Sequence, residues 1–326
     1  MKTFKKIIYL LSKKEQKSAA FLPLMISVMA ITEMIGVASI LPFMAVLSNP
    51  DVVQTNSFLK YMFEFSKTFG VRDNQQFLFY LGFIVFVVLL ISLMFKAITI
   101  YLQVRFVRMR EYTIGRRLIE GYLRQPYSWF LNHNSADLGK NILSEVDRVV
   151  INGISSLINL IARGLVVIAL IMLLILTDPK LAIVIGFLFG ISYALVFKFT
   201  RNYLNKIGEE SLKNNQLRFF AINEAFGAVK EIKVSGLEQS YINNFSKPAK
   251  IFAQKNTTLS IIGNLPRYIL EAFAFGGILL LILYMSTKTG SFNNALPILS
   301  LYVFAGYRLL PAFQQIYNSF TQLTFA

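Results

Sequence analysis

The sequence predicts an all-α membrane protein with six transmembrane helices, long cytoplasmic extensions and an N-terminal interfacial helix. Three observations predict it. First, 55% of the 326 residues are hydrophobic and 30 are Phe, more apolar surface than a soluble fold of this length needs. Second, six apolar segments are each long enough to cross the roughly 30 Å hydrocarbon core of a bilayer. Third, the net charge of +16 is unevenly placed. Residues 1–17 hold six Lys and one Glu, and the polar stretches 105–148 and 198–255 together hold 18 Lys/Arg against 10 Asp/Glu. The three short connections on the opposite side sum to +1. That is the positive-inside asymmetry, and it puts both termini and both long stretches in the cytoplasm. It also removes nucleic acid as a partner, because no basic, aromatic platform stands clear of the membrane.

Taken in order, residues 3–15 alternate apolar residues and Lys at helical spacing, which suggests a helix lying in the membrane interface. Span 1 runs over 19–47, too long for a signal peptide, with Pro23 and Pro42 as candidate kinks. Residues 51–76 form the one sizeable outer connection. Phe58, Tyr61 or Met62, Phe65 and Phe69 share a helical face there, which fits either an amphipathic helix at the outer interface or a loop covering the bundle.

Span 2 starts near Phe77 and shows no strong stop before Gln125. At 1.5 Å per residue that is roughly 70 Å, so this helix projects into the cytoplasm. Pro126 breaks it, and the turn QPYSWFLNHNS exposes Trp129 and Phe130. Helix 3 begins near Leu138 and returns to Thr177, followed by the tight turn Asp178-Pro179-Lys180. Span 4 starts at about Leu181, span 5 covers 257–285 and span 6 starts near Ala295. Between spans 4 and 5 a second projection places Phe219 and Phe220 at its tip. Exposed aromatic tips suit a protein contact.

Five of the six spans carry ionisable residues: Glu33, Lys96, Arg163, the pair Arg267 and Glu271, and Arg308. Each costs roughly 2.5–3.5 kcal/mol or more at the bilayer centre unless it is paired or faces a wet interior. Counted from the outer end of each span, Glu33, Arg163, Glu271 and Arg308 lie roughly 21 Å deep, and Lys96 and Arg267 roughly 27–29 Å. They form one belt with four cations against two carboxylates. Arg267 and Glu271 are spaced to pair within their own helix. Arg163 has a structural alternative in pairing with Glu33, and Lys96 in snorkelling to the interface. The remaining excess of cations points to an anionic guest, because guanidinium forks suit phosphate.

Catalytic chemistry is not found. No phosphate-cradling P-loop, G-x-S-x-G elbow or H-E-x-x-H pair occurs, so no catalytic residue is expected. Cys is absent and His133 is the single His, so no metal site is expected either.

At this point the residues resemble a family. YLRQPYSWFLNHNSADLGKNILSEVDRV, TDPKLA and EAFGAVKEIKVSGLEQSYINNF are similar to the first coupling region, an outer turn and the second coupling region of the ABC exporter transmembrane domain. The resemblance runs over nearly the whole of residues 1–326. It implies a homodimer that closes a shared cavity, driven by ATP with Mg on a nucleotide-binding domain supplied in cis or as a separate chain. That domain is not among these residues. It also implies that Trp129, Phe130, Phe219 and Phe220 contact the ATPase. A narrower resemblance, carried by ITEMIGVASILPFM, NLPRYILEAFAF and FAGYRLLPAFQQI, is to the bacterial lipid-linked oligosaccharide flippases of protein glycosylation. It implies an inner-membrane flippase for a polyprenyl-diphosphate-linked glycan. The charged belt then puts Lys96, Arg267 and Arg308, together with Glu33, Glu271 and Arg163, at the substrate. Export of peptides or amphipathic drugs stays open, as does a sensor or scaffold that transports nothing.

Overall fold

A computed structural model describes residues 12–133, 135–288 and 296–324. The described chain is helical apart from its turns. We number the helices α1 (Lys13–Ala38), α2 (Ile40–Ser48), α3 (Val52–Thr55), α4 (Ser57–Lys67), α5 (Asn74–Leu123), α6 (Tyr127–Phe130), α7 (Ser135–Lys140), α8 (Val146–Arg148), α9 (Ser156–Thr177), α10 (Pro179–Gly227), α11 (Val229–Ser235), α12 (Glu238–Lys288) and α13 (Leu296–Thr324). Among the described residues, four helical stretches are long and apolar enough to cross a membrane: Ser18–Ser48, Asn74–Leu123, Leu138–Thr177 and Leu296–Leu323. The chain divides into two compact units, one of residues 1–183 and 276–326, the other of residues 184–275.

In the first unit, α1, α5, α9 and α13 pack on one another. The start of α1 corrects only the far boundary of the expected interfacial helix. Ser12 is extended and caps α1 reciprocally with Glu15, so a new helix opens at Lys13 where one running through residue 15 was expected. Residues 3–11 lie outside the described residues. Of the two candidate kinks only Pro42 acts. A proline has no N–H for the carbonyl four residues back and clashes with it, and that carbonyl belongs to Ala38, where α1 stops. Pro23 sits inside α1 without interrupting it, and Pro311 sits inside α13 in the same way.

Segment 51–76 combines features of both alternatives: it holds an amphipathic helix, and that helix packs over the bundle. On α4, Leu59 and Ser66 are buried, and Met62 and Phe63 pack on a cluster with Val46, Val53, Phe77 and Leu81. The Phe63 and Phe77 rings meet edge to face with centroids 5.1 Å apart. Phe58, Tyr61, Phe65 and Phe69 stay exposed on the other side. One face of α4 therefore covers the bundle while its aromatic face stays exposed.

α5 is 50 residues long, about 75 Å at helical rise. Its return partner is less regular than the sequence suggests. Two π-type turns, Asn141–Glu145 and Val149–Ser155, precede α9. Val146, Val150 and Ile154 from this stretch bury against Val107 and Ile114 of α5. α10 opens one residue after α9 closes, with Pro179 as its first residue and the Asp178 side chain accepting from the Lys180 N–H at 3.1 Å. Proline suits that position because its missing N–H is unneeded there.

In the second unit, α10 and α12 run side by side, tied by the Lys255–Glu210 ion pair, the Ser211 hydroxyl donating to Asn256 at 3.1 Å and the Arg218 guanidinium over the Phe252 ring. Lys255 holds the Glu210 carboxyl below its ordinary range by donating a hydrogen bond to it. α11 connects α10 to α12 and ends on Gly236, whose φ of 64° favours a residue without a Cβ.

Candidate functional site

The stripe that carries Lys96 was missed in the sequence. Ser92, Lys96, Thr99 and Gln103 recur at intervals of four, three and four on α5, which is one helical face. Ser92, Thr99 and Gln103 are buried, so this face looks into the bundle and takes Lys96 with it. α1 comes close enough there that a Cβ on Gly36 would sit 3.6 Å from Ser92. Thr99 satisfies its hydroxyl on the Phe95 carbonyl at 2.9 Å. Ser92 Oγ and Gln103 Nε2 are buried with no hydrogen-bond partner among the described residues. The periodic polar spacing inside an apolar run was the available signal.

Opposite Lys96, α1 presents Glu33, which is 1% exposed. Its Oε1 lies 2.7 Å from Lys96 Nζ and 3.5 Å from Arg308 Nη1 of α13. Three helices thus converge on one carboxylate oxygen. The Lys96 and Arg308 side chains are 28% and 14% exposed. Neither cation completes hydrogen-bond geometry with Glu33 Oε1, and both Oε1 and Arg308 Nη1 are buried without such a partner among the described residues. The contact is a charge contact without directional bonds.

For Arg163 of α9, pairing with Glu33 is the structural alternative to a substrate contact. Lys96 and Arg308 take that carboxylate instead, because they approach within 4 Å and Arg163 does not. Arg163 still feels the Glu33 charge, and its Nε is buried without an acceptor among the described residues. Counted formally, Glu33, Lys96, Arg308 and Arg163 sum to +2. The Arg267 side chain lies outside the described residues. Glu271, on α12, has an interaction of its own and belongs to the other unit.

The expected coupling aromatics fall differently from the sequence picture. Trp129 and Phe130 of α6 are half-buried. Trp129 stacks on His133 at 3.8 Å and on Tyr122 at 5.6 Å, and Phe130 meets its edge at 5.2 Å. The exposed apolar residues at this turn are Leu123, Tyr127 and Leu131. A local aromatic stack removes Trp129 from solvent at less cost than leaving it bare. Phe219 and Phe220 are exposed, but they sit about two turns before α10 ends. The tip itself is α11, where Val229 and Val234 are exposed.

Among the described residues no group of His, Asp or Glu could hold a metal ion. The model of one family, described as the ABC transporter transmembrane region, matches residues 19–307. That match takes in every belt residue except Arg308, and all four aromatics at the two turns.

Proposed function

Because this chain belongs to the ABC transporter transmembrane-region family, we propose that it is the permease half that moves an anionic lipid outward, its substrate a polyprenyl-diphosphate-linked oligosaccharide. The family makes it a multi-pass membrane protein of an ATP-driven system whose energy comes from a nucleotide-binding domain. In this reading two copies form a homodimer in a bacterial inner membrane with cytoplasmic termini, since C₂ pairing closes a cavity of which one chain supplies half. ATP and Mg act on the nucleotide-binding domain, in cis or as a partner. The exposed residues at the two turns, with Phe219 and Phe220 behind the second, receive the ATPase motion.

The observation that carries the substrate class is the excess of cations around Glu33. Buried cations beyond the number of carboxylates are costly in a bilayer, and a diphosphate supplies the missing negative charge with acceptor oxygens that suit guanidinium forks. Arg267, a belt cation by its depth in the sequence, enters the same test.

The test is reconstitution with the nucleotide-binding domain in liposomes, following outward movement of a lipid-diphosphate glycan. Alanine at Lys96, Arg267 or Arg308 should slow transport about tenfold or more, since a charged hydrogen bond is worth roughly 1.5–3 kcal/mol. A pair of such changes should abolish it. Normal flipping by all three variants, or export of peptides in place of the glycan lipid, would remove the substrate assignment.

A further inference from the structure

We propose that Glu33 is a built-in counter-anion: it occupies Lys96 and Arg308 when no ligand is bound, and the anionic headgroup of the ligand displaces it, so that Glu33 sets how tightly the site holds an anion. This rests on the anion-site reading above and adds a selectivity residue of negative sign.

Three features of the cluster support the role. A purely structural buried network is expected to satisfy its donors and acceptors. This one leaves Glu33 Oε1, Arg308 Nη1 and Arg163 Nε without hydrogen-bond partners among the described residues. Lys96 and Arg308 also share a single carboxylate oxygen at 2.7 and 3.5 Å. One oxygen cannot give Arg308 the two parallel bonds its fork can make, and a phosphate oxygen pair can. Finally, Glu33 is 1% exposed, so bulk water does not compete for its charge, and it neutralises the cations until a better acceptor arrives. A more highly charged group with several acceptor oxygens is such an acceptor, while a neutral amphipathic molecule is not. Glu33 would thereby reject weak anions that cannot outcompete it.

The consequence is opposite to that of an ordinary contact residue, because removing the Glu33 charge should strengthen anion binding. The full chain in zwitterionic phosphatidylcholine nanodiscs would be titrated calorimetrically with inorganic pyrophosphate. Glu33→Gln should bind at least about tenfold tighter than the unaltered chain, because a unit negative charge within a few ångströms of the cations is gone. Glu33→Asp, which keeps the charge on a shorter arm, should fall between the two and covers the case in which Glu33→Gln does not fold. Pyrophosphate bound by the unaltered chain but no tighter by either variant would overturn the counter-anion role and leave the anion site standing. No binding by any of the three would overturn the anion site and this proposal with it.

Discussion

Ser156 and Gln322 are 166 positions apart, and the Ser156 hydroxyl donates to Gln322 Oε1 across 2.7 Å. Ser156 is fully buried and opens α9 directly after the second π-type turn. The bond thus fixes the last turns of α13 to the point where helix 3 becomes regular. α13 carries Arg308 and α9 carries Arg163, so this one contact helps hold two of the three cations around Glu33 in register.

Ser156→Ala should lower stability by about 0.5–1.5 kcal/mol, the usual net value of such a bond. Gln322 is exposed enough to turn to water, which keeps the loss at the low end. Denaturant titration in detergent, comparing the midpoint with that of the unaltered chain, measures it.

Lys96 and Arg308 should be strongly non-additive. Either alone still neutralises Glu33, so Lys96→Ala and Arg308→Ala should each cost little. Removing both leaves a buried carboxylate without its ion-pair partners, a loss of about 3–5 kcal/mol. A double-mutant cycle on unfolding free energy checks this. Additive values would mean that Arg163 alone suffices to neutralise Glu33.

Glu15 should make the start of α1 acid-sensitive. Burial pushes its carboxyl up, but the Ser12 backbone N–H, the Thr113 and Ser12 hydroxyls and the Arg110 charge together hold it below its ordinary 4.5. A carboxyl lowered in the folded state contributes stability that is present above 4.5 and lost as pH falls through the folded value. Amide exchange over residues 13–17 should therefore accelerate as pH drops below about 4.5, after correction for intrinsic rates. Glu15→Gln should exchange fast at every pH and lose that dependence.

Pro42→Ala should straighten the junction of α1 and α2, because it restores an N–H for the Ala38 carbonyl and removes the ring that clashes with it. The chain has no Cys, so spin labels can be placed cleanly at Leu24→Cys and Leu47→Cys, both exposed positions. Dipolar spectroscopy should show a longer distance between them in the Pro42→Ala background. An unchanged distance would assign the break to packing of α2 against α13.

The local patterns that the sequence legibly carries are those decided within one helix. Apolar runs of membrane length, the one-residue turn at Asp178, the long reach of α5 and the aromatic face of α4 all follow from composition, proline position and 3.6-residue periodicity. So does the presence of a charged belt, since a Lys or Arg within an apolar run is visible in the chain itself. Which charges meet is a different matter. Glu33 chooses Lys96 and Arg308 over Arg163 because α1, α5 and α13 cross at that level, and helix rotation is set by packing between helices far apart in the chain. The same holds for Trp129, which looks free in a Pro-broken turn and is sheltered by Tyr122 and His133. It holds too for the second tip, where only the fold shows that α11, and not Phe219 and Phe220, forms the end. Periodicity fixes which residues share a face; the tertiary structure alone decides what that face meets, because the free energy of a buried charge depends on its partner's distance and not on its place in the sequence.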